Sequence, residues 1–96
     1  MTSQLTNFTF TVNPEATASI HDDVIVIVHI GSGLLYTSNA IGARIWRGIE
    51  QRLSLDAIAV GISDLYQIAY SIAREHIARF LAELQRHGLI EKEAGL

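Results

Sequence analysis

The chain has 96 residues, 49% of them apolar and 18% charged, with a formal net charge of −3 and no cysteine. This length predicts one domain with a modest core, and the apolar share excludes an intrinsically disordered chain. Disulfides, thiol nucleophiles and thiolate metal sites are excluded, and 7 basic against 10 acidic residues weighs against a general nucleic-acid binder.

In an extended chain, Phe8, Phe10 and Val12 fall on one side and Thr9 and Thr11 on the other. This period of two predicts an extended N-terminal arm over residues 1–13. The arm serves either as an extra edge strand or as a segment that docks on another subunit in a weak homodimer. Asn13-Pro14 predicts a turn into the main domain, expected over residues 14–92, with residues 93–96 as a tail. No basic region followed by an apolar signal core opens the chain. The most apolar run, residues 24–30, contains His29 and is far too short to span a bilayer as a helix. A cytoplasmic location with no membrane association is the expectation.

Residues 16–21 predict a short strand, and His21-Asp22-Asp23 a turn. Val24-Ile25-Val26-Ile27-Val28 predicts a strand more strongly, because branched side chains fit a pleated, buried surface. Gly31-Ser32-Gly33 can reverse the chain, and Leu34-Leu35-Tyr36 can return as the next strand. The expectation is a three-stranded antiparallel meander over about 16–21, 24–30 and 33–37.

After Tyr36 the period changes. Asn39 is placed to cap a helix whose inner face carries Ile41, Ile45, Trp46 and Ile49. Ser54 caps the next helix, with Leu53 positioned to staple against Ile58 and Asp56 favourable in the first turn. Gly61 weakens that helix locally. In the last helix, Ala73, Ile77, Phe80 and Leu84 form a compact core face, and Arg74, Ala78, Leu81 and Gln85 an adjoining stripe. Gly88 supplies a left-handed stop, after which Leu89 and Ile90 pack back. The fold class is α+β: a small antiparallel sheet followed by three helices.

No catalytic constellation appears. His21, His29, His76 and His87 form no HxH or HExxH spacing, and Asp22-Asp23 suits a turn better than a carboxylate pair. Gly31-x-Gly33 lacks the remainder of a phosphate loop. Ser54 and Ser71 have no identifiable base and orienting acid. These observations predict a protein without enzymatic activity, cofactor or metal.

The segment from Leu35 to Trp46 resembles the strand-to-helix junction of the PqqD-like family, with Asn39, Gly42, Ala43, Ile45 and Trp46 matching and Ser38 in place of the usual leucine. Leu53-Ser54-Leu55-Asp56-Ala57-Ile58 is similar to the family's second-helix opening, and Phe80–Leu84 through Gly88-Leu89-Ile90 to its closing segment. Aspartate is common in the family where His76 stands, a departure expected to alter the groove. The resemblance covers about residues 16–92. It implies a winged-helix-like domain that binds the leader of a ribosomally made precursor peptide and presents it to a modifying enzyme. Relatives serve pyrroloquinoline quinone, lasso-peptide and radical-enzyme pathways.

The chemistry of such binding is strand addition. A leader can pair with the edge at Leu34, Leu35 and Tyr36, backbone bonds giving affinity and side-chain pockets giving register. The stripe Arg74, Ala78, Leu81 and Gln85 is expected to line the groove beside that edge, Arg74 pairing with a leader acid and Ala78 leaving room. Asn39, Ile45, Trp46, Ile77, Phe80 and Leu84 are assigned to structure. Two alternatives stand beside this reading: a DNA-binding winged helix exposing Arg74, Arg79 and Arg86, and a noncatalytic structural subunit assembled through its arm.

Overall fold

The computed structural model describes residues 9–93. Strands β1 (Thr9–Val12), β2 (Ala16–His21), β3 (Val24–His29) and β4 (Leu34–Ser38) lead into helices α1 (Ala40–Glu50), α2 (Leu55–Tyr66) and α3 (Tyr70–Arg86), and β5 (Ile90–Glu93) follows. The architecture is the expected α+β arrangement, a small antiparallel sheet followed by three helices and winged-helix-like in outline.

Strands β2, β3 and β4 form an antiparallel meander in that order. Ile25 and Ile27 point into the core from β3, and the alternate valines cover the other face. His21 opposes Val24, so Asp22-Asp23 is a two-residue turn. Asp22 takes a left-handed backbone (φ 55°), which a short polar side chain tolerates. His29 opposes Leu34 across the second hairpin, whose turn uses Gly33 at φ 75°.

The helix signals follow the sequence closely. Asn39 Oδ1 accepts the Gly42 N–H at 3.1 Å, and Ser54 Oγ accepts the Ala57 N–H at 3.1 Å. Ile45, Trp46 and Ile49 are buried under the sheet and helices, and the Trp46 indole N–H donates to Glu50 Oε2 at 3.0 Å. Gly61 does not interrupt α2, which runs to Tyr66 and stops at Gln67 in the left-handed region. Helix α3 buries Ala73, Ile77, Leu81 and Leu84. It ends in the paired bonds of a Schellman motif: Leu89 N–H to the Leu84 carbonyl and Gly88 N–H to the Gln85 carbonyl, with Gly88 at φ 76°.

The two ends of the described chain meet. β1 pairs antiparallel with β5, Phe10 opposite Lys92 and Val12 opposite Ile90. The Asn13 N–H donates to the Leu89 carbonyl, and its side-chain amide to the Gly88 carbonyl at 2.9 Å. Residues 9–13 of the expected arm are therefore part of the folded unit, as is Glu93 of the expected tail, which bonds Thr9 and Arg52. Phe10 is 5% exposed and belongs to the chain's own core. Phe8 and residues 94–96 lie outside the described residues. The β1–β5 pairing joins residues some eighty positions apart and leaves no local trace in the sequence.

Candidate functional site

Strand β4 pairs with β3 on one side, and no described strand pairs with its other edge. Leu34 and Tyr36 pack against the core, while Leu35 points outward and is 63% exposed. The Tyr36 ring meets Phe80 edge-on at 6.1 Å and lies 5.8 Å from His87. Its hydroxyl donates to Glu83 Oε1 at 2.9 Å. Burial first, then this hydrogen bond and the carboxylate's charge, push the Tyr36 phenol up to about 12, against a smaller opposing pull from Arg86. The hydroxyl thus stays protonated and keeps donating at ordinary pH.

Phe80, Glu83 and His87 therefore mark the flank of α3 that faces β4. At about 100° per residue, His76 lies on the same line, and Arg74, Ala78, Leu81 and Gln85 are centred roughly 160° away. The stripe expected beside the strand edge is thus on the opposite flank of α3. Leu81 is 2% exposed and part of the core, Ala78 packs against that core, and Gln85 is solvent-facing. The structure brings Leu34, Leu35 and Tyr36 together on the open edge but does not bring Arg74, Ala78, Leu81 and Gln85 to it. The adjoining face carries Phe80, assigned to the core from sequence and only partly buried.

A groove of about 430 Å³ opens where β4 runs into α1. Buried Gly42, Ile45, Ala73 and Ile77 form its base. Ile41, Ile68 and Ile72 are exposed around it, with Phe80 between the groove and Tyr36. Ser38, Asn39 and His76 contribute its polar groups, and His76 is its one titratable lining residue. Gly42 lets the end of β4 and the side chain of Phe80 pack closely on α1: a Cβ there would overlap Ser38 Oγ and lie 2.6 Å from Ser38 Cβ and 3.3 Å from Phe80 Cζ, so any larger residue would displace both.

Ile68, in the α2–α3 connection, and Ile72, in the first turn of α3, carry no periodic signal that marks them in the sequence. Ile41 continues the spacing of Ile45 and Ile49, yet it sits in the first turn of α1 at the groove and is exposed. The chain has no cysteine, and no cluster of three metal-ligating side chains occurs among the described residues.

Residues 25–90 match the family described as coenzyme PQQ synthesis protein D, PqqD. The chain belongs to the PqqD family. The matched region takes in the open strand, the groove and all three helices. No curated protein matches the chain significantly. Two solved structures share the PqqD-family fold seen here. One is described as TbiB1 in complex with the TbiA(beta) leader peptide, with a TM-score of 0.82 and 24% identity over 88% of this chain and 99% of that one. The other is described as lasso peptide synthetase B1 complexed with the leader peptide, with a TM-score of 0.79 and 22% identity over 85% and 96% of the two chains. No helix among the described residues is long and apolar enough to cross a membrane.

Proposed function

We propose that this PqqD-family protein binds the leader segment of a ribosomally made precursor peptide and presents it to a modifying enzyme, acting as a carrier and not as a catalyst. The observation that carries this reading is the juxtaposition of an unpaired strand edge, β4, with an apolar groove between that strand, α1 and α3. The edge offers unpaired backbone donors and acceptors to an incoming extended peptide, and the groove accepts its apolar side chains. That both similar structures are described with a leader peptide adds support. The strand edge Leu34, Leu35 and Tyr36 stays in the proposed site, joined by Ile41, Ile72, His76 and Phe80. Arg74, Ala78, Leu81 and Gln85, on the far flank, would affect the peptide only by way of α3.

The nucleic-acid alternative is weaker. On α3, Arg79 pairs with Glu75 at 3.2 Å and Arg86 with Glu83 at 3.8 Å, so two of its three arginines already face a carboxylate. Acidic residues also outnumber basic ones in the whole chain. Self-association through the N-terminal arm would have to proceed without Phe10, which is buried in its own domain.

The direct test is a binding screen against precursor peptides encoded beside this protein, with a scrambled leader as control. One matching leader should bind saturably and the scrambled one should not. Failure of every encoded leader would overturn the carrier reading.

A further inference from the structure

A second cleft, about 450 Å³, lies between α1 and α2. It shares only Ile62 with the groove beside β4. Its base is apolar, with Ile58 and Ile62 buried and Leu53 and Leu65 exposed at the surface, Leu65 by 51%. Arg44 and Arg47 stand along it one helical turn apart, both exposed. Arg52, Arg79 and Arg86 each hold an ion pair with a glutamate, whereas Arg44 and Arg47 hold none among the described residues. Both arginines also border a smaller cleft of about 190 Å³ that contains Asp22 and Asp23. Neither aspartate comes within ion-pair distance of them, so the two guanidinium groups remain available to a partner.

We propose that the α1–α2 cleft docks an acidic, amphipathic segment of the peptide-modifying enzyme. Carboxylates one turn apart on that segment pair with Arg44 and Arg47, and its apolar side chains settle on Leu53, Ile58 and Leu65. The charge pattern selects this occupant. Two unpaired cations beside apolar surface, on a chain that is acidic as a whole, fit a segment bearing carboxylates and an apolar stripe. The separation of the two clefts lets one carrier hold its peptide and its enzyme together. The identity of the partner rests on the carrier reading above, but the docking measurement does not.

The test uses the intact chain and the modifying enzyme encoded beside it, with leader absent and then present. Three variants are compared: Arg44→Glu with Arg47→Glu, Asp22→Asn with Asp23→Asn, and Ile72→Glu in the peptide groove. The double arginine reversal should weaken enzyme binding by about tenfold or more and leave leader affinity within about twofold. Neutralising the aspartates should tighten enzyme binding. Ile72→Glu should weaken the leader and leave enzyme binding without leader unchanged. Enzyme affinity should also fall as salt is raised from about 50 to 300 mM. Wild-type enzyme affinity in the arginine double variant, no enzyme binding by the intact chain, or dimers of the chain that the arginine reversal dissociates would each overturn the proposal. Failure of the intact wild-type chain to bind any leader, with enzyme docking intact, would instead overturn the carrier reading.

Discussion

Tyr36 on β4 and Glu83 on α3 are joined by a 2.9 Å hydrogen bond from the phenol hydroxyl to the carboxylate, so the strand proposed to receive the peptide is tied to the helix beside it. The phenol is held up to about 12, above its ordinary value of 10.0, by burial and by that carboxylate. A group whose folded pKa is raised contributes stability that is complete below its unfolded pKa and is lost as pH climbs through the folded one. Wild-type protein should therefore lose stability progressively between pH 10 and 12. Tyr36→Phe should show a flatter profile there and cost about 0.5–1.5 kcal/mol near neutrality. Urea unfolding at stepped pH measures both, and identical alkaline slopes would count against the Tyr36–Glu83 coupling.

The two flanks of α3 should separate in mutagenesis. Ile72 is 49% exposed beside the groove, so Ile72→Glu should lower leader affinity by about tenfold or more with little change in thermal midpoint. A bulky residue at Ala78, which packs against the core on the other flank, should cost about 1–3 kcal/mol of stability. Arg74→Ala should leave leader affinity within about twofold, since its flank faces away from β4. Calorimetric titration and thermal unfolding of the three variants decide the assignment. A leader whose affinity follows Arg74 and ignores Ile72 would return the site to the far stripe.

Gly42 makes a sharper probe of the groove's shape. Gly42→Ala puts a better helix former into α1, yet its new methyl collides with Ser38 and crowds Phe80. The expected outcome is a stability loss of about 1–3 kcal/mol with weakened leader binding. Unchanged leader affinity in a folded Gly42→Ala protein would show that the peptide does not use this part of the groove.

Removing residues 1–13 should destabilise the protein itself, because that deletion takes away β1 and the buried Phe10. Phe10→Ala alone should cost about 3–5 kcal/mol. Mass measured across a dilution series of the intact chain separates this from assembly. A dimer that dissociates on dilution while the fold persists would restore a docking role for the arm, and a constant monomer would assign these residues to the domain.

Much of the fold was legible because its signals are local. Asn39 and Ser54 announce their helices by type and position, the Val/Ile run of β3 has one buried face to satisfy, and Gly88 stops α3 where its left-handed backbone requires. The β1–β5 pairing was not legible as a pair, since it joins residues at opposite ends of the described chain. The geometry of the candidate site was legible in part. The open edge at Leu34–Tyr36 follows from a meander with two free sides. Sequence periodicity gives two stripes beside the core face of α3 and cannot say which one turns toward β4. The Tyr36 contacts with Phe80, Glu83 and His87 decide that choice.

The central claim is tested most directly by following the backbone amide shifts of the full chain while a leader encoded beside it is titrated in. Changes concentrated at residues 34–38 on β4, together with Ile41, Ile72, His76 and Phe80, and new protection of the β4 amides from solvent exchange, are the expected result. Saturable binding whose shifts bypass both β4 and this flank of α3, with β4 exchanging as in the free protein, would contradict strand addition in the groove.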